Sequence, residues 1–179
     1  MTGLKPTLKH STALPATSVT LRVLIVCNWI LGVLIFALLT ISFLAEEFTW
    51  RALGVGTVAG HEGAVAGMRA IMVIGIVGTP IAYFVFSRLL RIVESVRTGE
   101  PFTLDNAGRL RTIAWALLGI ELLHICVVAI ASAVSTREVP LHIDGNFDLT
   151  GWLAILLLFV LAQVFLAGTR LREDLEGTV

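Results

Sequence analysis

The chain has 179 residues, of which 56% are hydrophobic and only 15% charged, with a mean hydropathy of +0.90. Soluble domains carry roughly a quarter charged residues, so this composition excludes an ordinary soluble protein, and thirteen basic against thirteen acidic residues leave no bulk charge to attract nucleic acid. Cys27 and Cys126 both fall inside apolar runs, which argues against a disulfide framework and against a zinc site of familiar spacing.

Taken in order, the chain opens with a Thr-, Ser- and Pro-rich stretch over residues 1–20 that is expected to be a mobile tail. A membrane helix needs about 20 predominantly apolar residues, and Val23–Leu44 is the first such run. It is too long for a signal peptide and lacks a small-residue cleavage site. Asn28 sits shallow in it, toward the side of the tail. The Gly-rich connection Ala45–Gly63 follows, with Glu46, Glu47, His61 and Glu62. Small residues at Gly56, Gly60 and Ala64, with Gly63 and Gly67 offset, favour close helix approach within the molecule or between subunits.

The second run, Ala64–Phe86, has Gly78-Thr79-Pro80 near mid-depth, where Pro80 removes a backbone hydrogen bond and is expected to kink the helix. It leaves the membrane as the helix "SRLLRIVESVRTG", with Arg88, Arg91, Ser95 and Arg97 toward water or headgroups. In the polar island "GEPFTLDNAGRLR", Gly99 suits a helix C-cap and Pro101 prevents continuation. Thr103 is a good N-cap, Asp105 complements the new helix dipole, and Phe102 is placed for a hydrophobic staple. Capping leaves Glu100, Asn106, Arg109 and Arg111 as an expected exposed remainder.

The third run, Ile113–Val134, holds Glu121, ten residues beyond Arg111 and therefore about 15 Å deep, with His124 on the same face. The connection Ser135–Thr150 contains "IDGNFD", which has tight-turn chemistry but not the ligand spacing of a calcium loop. The last run, Gly151–Leu166, continues without a breaker through Ala167 to Arg170, and Gln163 lies at a depth similar to Glu121. The terminal "GTRLREDLEGTV" is an amphipathic helical end with Leu171 and Leu175 on one face and Arg172 and Asp174 among the charged residues around it.

Ten of the Lys and Arg residues fall on the side of the tail, the second connection and the C-terminus, against three on the other side. The positive-inside rule then makes both termini cytoplasmic, and Trp50 and Trp152 fall where an outer aromatic belt requires them. The expected fold is an all-α, integral membrane four-helix bundle, N-in and C-in, with antiparallel neighbours, residing in the cell membrane.

Polar residues at membrane depth are functional candidates by default. Glu121, His124 and Gln163, with Asn28, are read in one of two ways: a hydrogen-bonded cluster holding helices together, or a proton relay or ion site. A di-iron centre needs Glu-x-x-His on two helices plus further Glu residues, and one copy is present. His124 has no second intramembrane histidine with which to ligate haem. No cofactor is expected. No nucleotide loop, Ser/His/Asp set or paired carboxylates suggest catalysis, so the chain is not expected to be an enzyme.

"GEPFTLDNAGRLRTIAW" and "VFLAGTRLREDLEGTV" resemble the signatures of the bacterial membrane family catalogued as domain of unknown function 2975, over most of the chain. The resemblance rests on the Gly-x-Pro-Phe loop, the Phe165-x-x-Gly168 pattern and the acidic tail; Glu121 and His124 fall outside these motifs. It implies a four-helix membrane protein and lends no catalytic residues. Members often stand beside a gene for a small helix-turn-helix regulator, which implies by association a DNA-binding partner held at the membrane, without direct nucleic-acid contact by this chain.

The leading expectation is thus a non-enzymatic membrane regulator or scaffold. Its cytoplasmic loop (99–111) and C-terminal helix would bind a partner through Glu100, Phe102, Asn106, Arg109, Arg111, Arg172 and Asp174. The alternatives are an oligomeric small transporter, channel or proton-coupled protein using Glu121, His124 and Gln163, and an accessory or immunity subunit of a larger membrane complex. The lipid bilayer and a second copy of the chain complete the expected partners.

Overall fold

The computed structural model describes residues 13–45, 62–99, 102–135 and 149–176, with side chains over 15–45, 63–99, 102–135 and 149–171. The two outer connections, with Trp50, Gly56, Gly60 and the "IDGNFD" turn, lie outside the described residues, as do Glu100 and Pro101. Four helices make up the described chain: α1 (Ala13–Leu44), α2 (Glu62–Arg97), α3 (Leu104–Val134) and α4 (Leu149–Glu176). All four are long and apolar enough to cross a membrane. The expected all-α membrane architecture is the one observed.

α1 starts at Ala13, so the helix takes in part of the stretch read as a tail. Pro15 is tolerated in a first turn, where its missing N–H would lack a partner anyway. The Ser18 and Thr20 hydroxyls fold back onto the carbonyls of Pro15 and Ala16, at 2.9 and 3.0 Å. α2, with 36 residues at 1.5 Å each, is about 54 Å long against a hydrocarbon core of about 30 Å. Its surplus length lies at the C-terminal end, where Arg88, Arg91, Glu94 and Arg97 are. α2 runs through Pro80 without interruption.

Neighbours run antiparallel. Along the α1–α2 seam Arg22 meets Glu94, Asn28 meets Thr79, and Ser42 meets Arg69. Along α2–α3 Ser95 meets Asn106 and Gly67 faces Val134. α3 meets α4 through Trp115 and Phe159, whose rings stand edge to face at 5.3 Å. Among the described residues substantial packing joins only consecutive helices, so the four form an open row with α1 and α4 at its edges. Most of α1's large apolar residues are exposed, Val33, Phe36 and Phe43 among them, as suits a helix in lipid.

Two glycines set the closest approaches. A Cβ on Gly32 would stand 2.6 Å from Thr79 Cγ2, and one on Gly67 would stand 2.6 Å from Val134 Cγ2. Gly67 belongs to the small-residue pattern noted above, whereas Gly63 meets nothing. Burial concentrates at the two ends of the row. Leu21, Val85, Asn106, Ala107, Leu110, Ile113, Ala114 and Thr169 are buried toward the island; Ser42, Ala64, Val65 and Ala131 are buried toward the other end.

Candidate functional site

The island folds largely as its local chemistry dictates. Gly99 takes φ 87°, a left-handed conformation that glycine adopts without steric cost, and closes α2. Thr103 is extended (φ −131°, ψ 152°) and its Oγ1 accepts from the Asn106 N–H at 3.2 Å, an N-cap for α3. Asp105 stands in the first turn and pairs with Arg109 one turn on, 3.5 Å away.

Three residues, Asn106, Arg109 and Phe102, are placed differently from expectation. Asn106, placed with the exposed remainder, is 0% exposed. Its Nδ2 donates to Ser95 Oγ at 2.6 Å, and its Oδ1 accepts from Arg109 Nη1 at 2.7 Å. The carboxamide thus ties α2 to α3 and fixes the Arg109 guanidinium, whose side chain is only 20% exposed. A short polar side chain that can donate and accept is what a buried crossing of two helices accommodates. Phe102 reaches beyond its own helix. Its ring lies 5.0 Å from that of Phe165 and 3.3 Å from the Cβ position of Gly168, so it packs on α4. The Gly-x-Pro-Phe loop and the Phe-x-x-Gly pattern are two halves of one contact, in which Gly168 leaves room for the ring.

Arg111, Arg170 and Leu171 are exposed at the same end, and Arg111 makes no ion pair among the described residues. Arg22 and Glu94 pair at 3.4 Å while both stay well exposed, so this ion pair adds little stability. Arg172 and Asp174 lie on α4, but their side chains are outside the described residues, as is the whole of Glu100.

The structure does not bring the intramembrane polar residues together as expected. Glu121 is half-buried, His124 and Gln163 are exposed, and no hydrogen bond joins the three among the described residues. An open row has no central axis on which residues of similar depth converge. Asn28 instead donates from Nδ2 to the Thr79 carbonyl at 3.0 Å. The Thr79 hydroxyl donates to the Gly75 carbonyl at 3.0 Å. Among the described residues no three His, Cys, Asp or Glu side chains gather as metal ligands do.

Beside the Asn28–Thr79 bond lies a partly open cavity of about 470 Å³ between α1, α2 and α3, apolar except for Asn28, Thr79 and His124. A second hollow of about 350 Å³ between α1 and α2 shares Thr79 and is bordered by Trp29, Gly32 and Pro80. Arg69, counted in the sequence only as an outer charge, binds the other end of the seam. It donates to the Ser42 carbonyl and, at 3.4 Å, to Ser42 Oγ, with its guanidinium 4.2 Å above the Phe43 ring. An Arg inside an apolar run is itself the signal that could have found it.

A family model described as Protein of unknown function (DUF2975) matches residues 55–179, a segment that takes in α2, α3 and α4. No curated protein and no solved structure matches the chain.

Proposed function

Because the chain belongs to the DUF2975 family of proteins of unknown function, its role has to be argued from its own geometry, and we propose a non-enzymatic membrane regulator or scaffold whose charged end receives a protein partner. That end is taken as cytoplasmic, in the cell membrane, from the excess of Lys and Arg it carries. The observation that carries the proposal is the network of contacts built into this end. Ser95, Asn106 and Arg109 form a buried network, and Phe102 is seated on Phe165 and Gly168. A surface held in one arrangement spends less ordering entropy on binding. The partner-facing groups are Arg111, Arg170 and Leu171, with Glu100, Arg172 and Asp174 adjoining in sequence. Asn106 and Arg109 support the surface from beneath. The family resemblance suggests a small helix-turn-helix regulator as the partner. No comparable support exists for the proton relay, because Glu121, His124 and Gln163 make no hydrogen bond to one another.

Site-specific photo-crosslinking in intact cells tests the proposal. A photoreactive residue at Arg111, Arg170 or Leu171 should yield a discrete protein adduct, and one at the lipid-facing Phe36 should not. Adducts at none of the three positions would refute the partner surface. Orientation is checked with Thr98→Cys in a Cys27→Ala/Cys126→Ala background: an impermeant thiol reagent should label inverted vesicles but not intact cells.

A further inference from the structure

We propose that the cavity between α1, α2 and α3 binds a neutral, membrane-dissolved lipid through one hydrogen-bonding oxygen, a hydroxyl or a carbonyl, on an otherwise apolar body. The inference is independent of the partner surface. At about 470 Å³ the cavity falls within the roughly 300–1,000 Å³ of ligand pockets, and its lining has the usual form of apolar walls with a few polar groups.

Those polar groups are not fully used by the protein. Asn28 spends its Nδ2 on the Thr79 carbonyl, and Thr79 spends its hydroxyl on Gly75, which leaves the Asn28 Oδ1 acceptor. His124 lines the same cavity and has no hydrogen-bond partner among the described residues. A neutral imidazole carries one N–H donor and one acceptor nitrogen, and hydrocarbon offers it nothing in exchange for water.

Depth decides which lipid can answer. His124 is three residues beyond Glu121, about 20 Å along α3 from Arg111, and so within about 5 Å of the middle of a core about 30 Å thick. Phospholipid headgroups and their ester oxygens stay at the interface, and acyl chains carry no donor or acceptor. A lipid whose single polar group is uncharged can bring that group to the midplane. The room is also specific. A Cβ on Gly78, which lines the cavity, would meet no atom within 4 Å, whereas the Cβ position of Gly32 is filled by Thr79.

The test uses the purified full chain in phosphatidylcholine nanodiscs with four diazirine probes: a long-chain alcohol, the corresponding ketone, the matching alkane and a phosphatidylcholine. Labelled peptides are mapped by mass spectrometry. The alcohol or the ketone should label the α2 and α3 walls at least several-fold more than the alkane or the phosphatidylcholine. Gly78→Leu should abolish this labelling, while Gly119→Leu, at an open position away from the cavity, should leave it intact. His124→Phe should reduce the polar probes to the alkane level. Equal labelling by alkane or phosphatidylcholine would show that bulk chains fill the space and would overturn the proposal. So would labelling that survives Gly78→Leu, or a preference that survives His124→Phe.

Discussion

Replacing Asn106 with alanine should cost about 2–4 kcal/mol of stability, which is large for a residue in a nominal connector. The magnitude follows from two bonds. The Asn106 amide donates to Ser95 Oγ at 2.6 Å, a neutral bond worth roughly 0.5–1.5 kcal/mol net, and its oxygen accepts from the Arg109 guanidinium at 2.7 Å, a charged one worth roughly 1.5–3 kcal/mol. Full burial of the side chain means that no water replaces either bond without rearrangement. Arg109 retains Asp105 at 3.5 Å, which keeps the loss below the upper end of that sum. The measurement is reversible unfolding in mixed micelles of increasing SDS fraction, followed by tryptophan fluorescence, with Trp115 on the same helix among the four reporters. Ser95→Ala should cost about 0.5–1.5 kcal/mol by removing the first bond alone, and the double variant should fall short of additivity by about 1 kcal/mol. If Asn106→Ala unfolds within about 0.5 kcal/mol of the wild type, the carboxamide does not hold α2 to α3 and the platform argument fails with it.

Gly32→Ala and Gly78→Ala should act in opposite senses under the same denaturation. The first drives a methyl to 2.6 Å from the stiff, β-branched Thr79 and should destabilise by about 1–3 kcal/mol. The second adds a Cβ in open space within a helix and should be neutral or stabilise by up to about 1 kcal/mol. Phe102→Ala should cost about 1–2 kcal/mol, since the ring is 45% exposed but paired with Phe165, and should raise the rate of proteolysis near Gly99. Arg69→Lys should not rescue Arg69→Ala: an ammonium lacks the fork that reaches two Ser42 oxygens and the flat face that lies over Phe43. Spin labels near the ends of α1 and α2 should report the same broadened distance distribution in both variants.

How much of this was readable in the sequence depends on how local each feature is. The spans, the Gly99 cap and the Thr103 N-cap were legible because each rests on residues within a turn or two of one another. Asn106 was not, because its partner Ser95 lies on the preceding helix and nothing in "LDNAGRLR" distinguishes an inward amide from a solvated one. Phe102 was recognised as an anchor but assigned to the nearest helix, since a staple is the local solution and Gly168 is a distant one. Glu121, His124 and Gln163 were grouped by depth, which is one coordinate of three. Depth follows from the rise per residue; which helices adjoin, and which faces they present, follows from packing that the apolar runs leave unspecified. The same gap hid Arg69, whose role depends on Ser42 and Phe43 arriving beside it.

The open row also has a consequence for how the chain is made. Each helix packs mainly on the one synthesised just before it, so no early helix has to wait in the membrane for a late partner. Pairing only consecutive helices keeps sequence separations below those of a closed bundle, which favours rapid assembly. The seam between α1 and α2, with its ties at Arg22, Asn28 and Arg69, contains no residue from α3 or α4. It can therefore form before the second half of the protein is inserted, and a chain truncated after Thr98 and released into the membrane should already show the Ser42–Arg69 pairing.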